Sequence, residues 1–109
     1  MGFDRELLKG SIALLILKLL SERDMYGYEI IQEARRRSHE TFEFKEGTLY
    51  PALHQLFNRG YLRAEWRLGD NGRKRKYYGV TAKGRKVAQA GERTWLQFTR
   101  AVNAVLSNG

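Results

Sequence analysis

The sequence contains no cysteine and only two histidines in 109 residues. Without cysteine there is no disulfide, no thiolate metal site and no cysteine nucleophile. The sequence also lacks a phosphate-binding Gly-rich loop, a His-Glu-x-x-His motif and a serine in a nucleophile elbow. Glu43 and Glu46 are close in sequence, but no partner base or metal ligand accompanies them. We therefore expect a protein that is not an enzyme and that needs no metal or cofactor.

Long hydrophobic runs are missing as well. The apolar stretch Leu14–Leu20 is interrupted by Lys18, so it is too short and too charged for a membrane span. The N-terminal residues MGFDRELLKG lack the small-residue cleavage pattern of a signal peptide. We therefore expect a cytoplasmic protein with no membrane partner. Its length and its 42% of hydrophobic residues are sufficient for one compact core.

Positive charge, by contrast, is abundant and concentrated in one segment. Residues 59–86 contain ten Lys or Arg against Glu65 and Asp70, a local balance of +8 that equals the net charge of the chain. The other 81 residues are therefore neutral overall. A local excess of this kind is what attraction to nucleic-acid phosphates requires, whereas a general solubility charge would be spread over the surface.

Two helices are predicted in the first third of the chain by apolar residues spaced three and four apart. The first covers residues 5–20, and Asp4 is its expected cap. Its apolar stripe consists of Leu8, Ile12, Leu15, Ile16 and Leu19. Asp24 is the expected cap of the second helix. The inward side of that helix carries Gly27, Ile30, Ile31 and Ala34, and its solvated last turn carries Arg35, Arg36 and Arg37.

A third helix is predicted from Gly47 or Thr48 to Gly60, after a short strand indicated by the alternation of Phe42 and Phe44 with charged residues. Pro51 is tolerated because it lies in or next to the first turn. The inward side of this helix carries Leu49, Leu53, Leu56 and Phe57. The opposite side carries Thr48, Tyr50, Pro51, His54, Gln55 and Asn58. The second set includes no acid, so it suits a DNA groove, where a carboxylate would be repelled by phosphates.

A β-hairpin follows. One strand places Leu62, Ala64, Trp66 and Leu68 on a half-buried side. Asn71-Gly72 predicts a tight turn with positive φ angles. The return strand covers residues 73–80 and begins with Arg73, Lys74, Arg75 and Lys76. Strand alternation lets only about half of these four side chains face nucleic acid at once. Tyr77, Tyr78 and Val80 are expected to pack against the core.

The last element is a long amphipathic helix that Thr81 is expected to cap. With roughly 25 residues it would be about 38 Å long, close to the diameter of a domain of this size. Its apolar stripe comprises Gly91, Trp95, Phe98, Val102, Val105 and Leu106. Part of this stripe must overhang the domain, and a second copy of the chain is the simplest partner for it.

This order of elements resembles the PadR-like family of bacterial transcriptional regulators. The matching segments are LLKGSIALLILKLL at 7–20, YGYEI at 26–30, GTLYPALHQL at 47–56, RGYL at 59–62 and GRKRKYYGVTAKG at 72–84. We expect a mainly α fold with a small β-hairpin. The resemblance implies that residues 1–80 form a winged helix-turn-helix DNA-binding domain and that residues 81–109 form a C-terminal dimerisation helix that packs with residues 5–20. The resemblance, to the short subfamily, implies a homodimeric repressor that binds an inverted-repeat operator and is released by a small molecule.

The resemblance also assigns residues to DNA binding. It implies that Gly47, Thr48, Tyr50, Pro51 and His54 belong to the part of the third helix that enters the major groove. Gln55 has the chemistry to bond adenine in a bidentate manner, and His54 has the alternative of being a solvated helix histidine. Two further groups complete the expected set: Tyr26 and Tyr28 at the start of the second helix, and Arg73, Lys74, Arg75 and Lys76 in the wing. The two tyrosines either touch the DNA backbone or pack in the core.

The resemblance further points to an effector pocket at the dimer centre. Its lining would be Trp95, Phe98 and Val102, with Leu15 or Leu19 of the first helix, and its ligand would be flat and hydrophobic. The alternative is a filled dimer core. A winged-helix RNA-binding or protein-docking module is the alternative function. The acid-free third helix favours double-stranded DNA, because the deep, narrow major groove of RNA cannot admit a reading helix.

Overall fold

Residues 5–107, the part of the chain that the computed structural model describes, form four helices and one small sheet, with side chains described from residue 10. The elements are α1 (Arg5–Glu22), β1 (Met25–Tyr26), α2 (Gly27–Arg37), α3 (Glu46–Asn58), β2 (Leu62–Leu68), β3 (Lys74–Val80) and α4 (Ala82–Ser107). The strand order in the antiparallel sheet is β1-β3-β2. The mainly helical fold with a β-hairpin is therefore confirmed. The expected cap Asp4 and the side chain of Leu8 lie outside the described residues.

The core is organised around α1, which packs against the three other helices and against β3. Its spacing of apolar residues is so dense that side chains on several sides are buried. The buried residues of α1 are Ile12, Ile16, Leu17, Leu19 and Leu20. They meet Met25, Ile30, Leu49 and Leu53, which are fully buried. None of the helices in the described part of the chain is both long and apolar enough to cross a membrane.

The start of α2 differs from the prediction. The residue that precedes the helix is Tyr26, in an extended conformation, and its N–H donates to the Glu29 carboxylate at 3.3 Å. Asp24 is not the cap. The reason is that Met25 and Tyr26 pair with Tyr78 and Tyr77 as β1, so the helix begins only after this short strand. The inward positions Gly27, Ile30 and Ala34 are buried as predicted, and Ile31 packs at the border of the core.

The short strand predicted at Phe42 and Phe44 is also wrong, because residues 41–45 form no strand. Phe44 is instead buried in the core, and Phe42 packs against it in a half-buried position. The chain enters this segment through His39 and Glu40, which both have left-handed φ angles, of 52° and 63°.

Helix α3 begins one or two residues before its predicted start, and it ends before Gly60, whose φ of 81° stops the helix. Leu49, Leu53 and Leu56 are buried as predicted. The prediction that Phe57 faces inward is wrong, since its side chain is 44% exposed. It lies roughly 80° around the helix from Leu49, which places it at the border of the buried stripe.

The hairpin pairs Leu62 with Val80 at its base and Leu68 with Lys74 near its tip. Its turn differs from the expected tight form, because left-handed φ is confined to Gly72 within the turn, and the Gly72 N–H donates to the Gly69 carbonyl. This is a type I turn followed by a left-handed glycine. Trp66 and Leu68, predicted to be half-buried, are 65% and 70% exposed. Ala64 and Tyr78 are the last residues of this face that pack with the core, and Trp66 and Leu68 lie beyond them toward the turn.

Helix α4 begins as predicted, because the Thr81 hydroxyl accepts a hydrogen bond from the Gly84 N–H at 3.0 Å. Its first turns are buried at Gly84 and Ala88, and Lys18 of α1 pairs with Glu92 at 3.8 Å. Beyond this point the apolar stripe is uncovered, as predicted. Its exposed members are Trp95, Phe98, Val102, Val105 and Leu106.

Candidate nucleic-acid interface

The outward side of α3 is available to a ligand along its whole length. Leu49, Leu53 and Leu56 fix the helix in the core and thereby decide which side faces solvent. All the polar positions predicted for that side are exposed: Gly47, Thr48, Tyr50, Pro51, His54, Gln55 and Asn58. Glu46 lies in the first turn, where its negative charge interacts favourably with the positive end of the helix dipole.

Tyr50 connects α3 to the beginning of α2. Its hydroxyl lies so close to Gly27 that a Cβ added at Gly27 would be 2.2 Å from the phenolic oxygen. Glycine at this position therefore makes room for the Tyr50 ring. Tyr28 is 59% exposed, and its ring stacks on that of Tyr26 with centroids 6.5 Å apart. The structure thus brings the predicted residues Tyr26, Tyr28 and Tyr50 to one end of the α2–α3 pair.

The register of the hairpin divides its basic residues between two faces. Lys76 is opposite Trp66 and Lys74 is opposite Leu68, so these four side chains share the face that continues from the core. We call this the core-side face. Arg75 is opposite Arg67 on the other side, which we call the outer face. Strand alternation thus separates Lys74 and Lys76 from Arg75, and which of these side chains face nucleic acid stays a prediction.

On the outer face, guanidinium groups lie against aromatic rings. The Arg75 guanidinium lies 4.4 Å from the centre of the Tyr26 ring, and the Arg67 guanidinium lies 4.7 Å from that of Tyr77. Tyr77 meets Tyr26 edge to face with centroids 5.4 Å apart. These contacts explain why Tyr26 is half-buried: it is covered by the wing and not by the core. They also commit Arg75 to a contact within the protomer.

Asp24 anchors the outer face at its base. Its carboxylate accepts two hydrogen bonds from Arg63 at 3.0 Å and one from Arg67 at 2.6 Å. The Arg63 guanidinium, and after it that of Arg67, lowers the pKa of Asp24 below its usual value of 3.8. Gly79 lies under this group, because a Cβ there would be 2.4 Å from Arg63 and 2.5 Å from Asp24. No local pattern indicates this cluster, since Asp24 and Arg63 are 39 positions apart.

Some cations of the hairpin form ion pairs within the protomer and others do not. Arg63 and Arg67 both pair with Asp24. Arg67 also pairs with Glu65, so two hairpin arginines are balanced by two carboxylates within the protomer. Among residues 10–107, no carboxylate lies within ion-pair distance of Lys74 or Lys76. The Lys76 ammonium lies 5.7 Å from the ring centre of Tyr78 and 6.0 Å from that of Phe57, which connects the core-side face to the end of α3.

The arginines at the end of α2 have structural partners. Arg36 and Arg37 both donate to Glu33, and Arg37 also pairs with Glu22 of α1. These contacts, Arg36 first, lower the pKa of Glu33 to about 2. Arg35 pairs with Glu40. The interpretation of a solvated last turn holds, with the addition that each guanidinium is matched by a carboxylate.

The predicted effector residues are only partly brought together. The rings of Trp95 and Phe98 lie 6.0 Å apart on α4, and a shallow apolar groove continues from Phe98 along Val102 to Leu106. Leu15 is half-buried, and Leu19 is buried in the core of its own protomer. Within the described residues, no cluster of His, Asp or Glu has the arrangement of a metal site.

Two kinds of comparison identify similar proteins. The model of the transcriptional regulator PadR-like family matches residues 16–90, which extend from the last two turns of α1 to the first turns of α4. An uncharacterized protein from Lysinibacillus sphaericus is 32% identical over 98 residues, which is 90% of each chain.

Solved structures agree in fold over nearly the whole chain. A transcriptional regulator from Clostridium thermocellum superimposes with a TM-score of 0.83 at 32% identity, over 91% of this chain and 96% of that one. A PadR-like transcriptional regulator from Bacillus cereus superimposes with the same TM-score at 29% identity, over 95% and 99% of the two chains. Similarity of this extent includes the wing and the long terminal helix as well as the helical core.

Proposed function

The chain belongs to the PadR-like family of transcriptional regulators, so it is a DNA-binding regulator and not an enzyme, and we propose that it is a homodimeric repressor of a bacterial promoter. In this proposal it acts in the cytoplasm, binds an inverted-repeat operator and leaves it when a small molecule binds. The observation that carries the proposal is the continuity of one surface. The exposed side of α3 is bordered by the tyrosines of α2 at one end and by the unpaired lysines of the hairpin at the other.

In the proposed complex, the first turns of α3 enter the major groove. Gly47 lets the backbone approach a phosphate, and the N–H groups of that turn favour an anion. Thr48, Tyr50, Pro51, His54 and Gln55 meet base edges or phosphates. Tyr26 and Tyr28 lie along the DNA backbone, and the wing residues Arg73, Lys74 and Lys76 contact phosphates or the minor groove. Arg75, whose guanidinium lies on the Tyr26 ring, adds its charge to the wing without direct contact.

The dimer of this proposal is formed by residues 81–109, packed on residues 5–20. Its support is the apolar stripe on α4, which a single protomer leaves exposed. Two copies joined in this way would place their α3 helices to reach successive major grooves, roughly 34 Å apart on one side of the duplex. Residues 1–80 then form the DNA-binding part of each protomer.

The effector in this proposal is a planar hydrophobic molecule held near Trp95, Phe98 and Val102, with Leu15 or Leu19 contributing from α1. Its support is the broad exposed ring of Trp95 on a helix of small residues. Titration with planar aromatic compounds should quench the Trp95 fluorescence. A fluorescence response that persists after Trp95→Phe would remove the pocket, and a filled dimer core would then be the better description.

Selection of bound sequences from a random pool of duplexes tests the function directly. Duplexes of about 30 base pairs, roughly three helical turns, are long enough for two half-sites. We expect the recovered sequences to share an inverted repeat. If no sequence is enriched over scrambled competitor, the proposal of operator binding is wrong.

Substitutions then separate the role of the helix from that of the wing. Tyr50→Ala or His54→Ala should weaken binding chiefly to the selected duplex. Lys74→Ala should weaken binding to every duplex and reduce the log-log salt slope by about one unit per lost phosphate contact. Arg75→Ala is the matched control in the wing, and it should change the slope less because Arg75 is committed to Tyr26. Identical behaviour of Tyr50→Ala and Lys74→Ala on selected and scrambled duplexes would contradict these roles.

A further inference from the structure

The core-side face of the hairpin carries an apolar pair that is exposed to solvent. Trp66 and Leu68 are 65% and 70% exposed, and the register places Lys76 and Lys74 directly opposite them. We call these four residues the wing patch. Single exposed apolar residues are common on protein surfaces, whereas large apolar side chains that are exposed side by side indicate an interaction site.

The charge of the wing patch is entirely positive. Glu65 is on the outer face, where it pairs with Arg67, and Asp70 is in the turn. Lys74 and Lys76 have no ion-pair partner among residues 10–107. The occupant of the patch therefore has to combine negative charges with an apolar or weakly polar surface between them.

The position of the patch identifies that occupant. Lys76 lies within 6.0 Å of the ring centre of Phe57, so the patch is continuous with the end of α3. When α3 lies in a major groove, a hairpin beside its end extends over the backbone toward the adjoining minor groove. The walls of that groove are deoxyribose rings between phosphates, and proteins insert apolar side chains together with Lys or Arg there.

We propose that Trp66 and Leu68 pack against deoxyribose in the minor groove next to the α3 site, while Lys74 and Lys76 contact the flanking phosphates. This inference rests on the proposed DNA-binding role of α3. It assigns DNA contact to two residues outside the basic run, and it makes one face of the wing the binding face. The outer face, with its paired arginines, serves to hold the hairpin in place.

The two tryptophans of the chain allow a direct test. In Trp95→Phe the only tryptophan is Trp66, and in Trp66→Phe the only one is Trp95. Each protein is titrated with the selected duplex, and binding is followed independently by the anisotropy of a label on the DNA. The titration is run at a protein concentration at which the free protein is already dimeric, so that the duplex does not change the burial of Trp95. We then expect the Trp66 emission to shift as the duplex binds, whereas the emission of Trp95 stays unchanged. A polyamide that occupies the minor groove should reverse the shift of Trp66.

The outcomes distinguish this inference from the proposed function. Binding by anisotropy without a change in Trp66 emission overturns the wing contact and leaves the function standing. A Trp66 shift that survives the polyamide, or equal shifts of both tryptophans, also overturns it. If polyglutamate shifts the Trp66 emission and the duplex does not, the patch belongs to an acidic protein partner. Absence of any duplex binding would contradict the proposed function itself.

Affinity measurements provide a second test. Trp66→Ala should weaken binding about tenfold, because the complex no longer gains from the burial of a large apolar side chain, and it should leave the salt slope unchanged. Lys76→Ala should lower the slope by about one unit. Trp66→Phe should retain most of the affinity. An unchanged affinity of Trp66→Ala, with its thermal unfolding also unchanged, would overturn the proposal.

Discussion

Three glycines lie where a methyl group would strike a neighbouring residue. An added Cβ would be 2.2 Å from the Tyr50 hydroxyl at Gly27, 2.4 Å from Arg63 at Gly79 and 2.1 Å from the Tyr61 carbonyl oxygen at Gly84. The neighbours differ in kind: a ring that can rotate away, an ion pair, and a rigid backbone. At the scale of single residues, these differences decide whether a substitution affects stability or binding.

Gly84→Ala should destabilise the protein by about 1–3 kcal/mol, because the backbone at Tyr61 cannot move aside without disturbing the start of α4. Urea unfolding measures the change. Gly10→Ala is the control: Gly10 is exposed in α1 with no atom within 4 Å of the added Cβ, so it should gain about 0.5–1 kcal/mol from better helix propensity. Equal unfolding midpoints for Gly84→Ala and the wild type would show that the approach to Tyr61 is not tight.

Gly27→Ala should affect DNA binding more than stability. The methyl group displaces the Tyr50 ring, which is free to move toward solvent, so the unfolding midpoint should change little while affinity for the selected duplex falls. In a double-mutant cycle with Tyr50→Ala, we expect Gly27→Ala to have no further effect, because its target is gone. Additive losses in the gel-shift assay would mean that Gly27 acts independently of Tyr50.

At the scale of elements, the wing is held by β1 and the residue before it. β1 contributes only two residues to the sheet, but Tyr26 supports Arg75, and Asp24 binds Arg63 and Arg67 at the base of the hairpin. The orientation of the wing relative to α2 and α3 is thus determined by the loop that follows α1.

Asp24→Asn should lower the free energy of unfolding by about 1 kcal/mol at neutral pH, because charge-assisted hydrogen bonds to two partly exposed arginines become neutral. The folded-state pKa of Asp24 is lowered, so its contribution is complete above about pH 4 and is lost as the pH falls through the lowered pKa. The difference between variant and wild type should therefore shrink on acidification, as measured by urea unfolding at several pH values.

The matched control for this pH series is Glu43→Gln, since Glu43 is exposed and has no ion pair among residues 10–107. Its unfolding curves should follow those of the wild type at every pH. A difference between Asp24→Asn and the wild type that stays constant down to about pH 2 would mean that the charge of Asp24 is not what stabilises the wing.

Sequence periodicity is sufficient to predict the elements whose pattern lies within a few neighbouring positions. Four helices, the hairpin and the Thr81 cap were predicted, because amphipathic spacing and capping residues act over a few positions. The outward side of α3 was predicted for the same reason: Leu49, Leu53 and Leu56 determine it locally. The roles of these exposed side chains in DNA binding stay predictions.

Contacts between distant segments were not predictable. β1 exists only because Met25 and Tyr26 pair with β3, and this pairing replaces the expected Asp24 cap. The strand expected at Phe42 and Phe44 does not form, and Phe44 is buried in the core. The alternation that includes Trp66 and Leu68 predicts a half-buried face, and for these two residues the prediction is wrong. A period of two shows that residues share a face of the strand, but it does not show what covers that face.

At the scale of the whole molecule, the protomer is elongated, with principal extents of 58 × 34 × 20 Å. Ala88 is the last buried residue of α4, but the apolar stripe of this helix continues beyond it to Leu106. A second chain would bury this stripe, and the dimer is accordingly the part of the proposal that substitutions on α4 address.

Val105→Glu should produce a monomer in sedimentation experiments. Val105 is 77% exposed, so the substitution costs the protomer little, but a carboxylate buried between two copies of α4 would be strongly unfavourable. The variant should also lose its preference for an inverted repeat over a single half-site. Gln97→Glu, an exposed position away from the stripe, should remain dimeric. A dimeric Val105→Glu protein would place the subunit contact elsewhere.

The confinement of the whole charge excess to residues 59–86 has a consequence for assembly. After residue 86, α4 carries only Glu92, Arg93 and Arg100 as charged residues. Two protomers that meet along this part of α4 would bring nearly neutral surfaces together, and mutual repulsion would arise chiefly between their 59–86 segments. A duplex that neutralises these segments reduces the repulsion. Nucleic acid would therefore tighten the association of the two subunits while being held by them, and dilution would separate free subunits before bound ones.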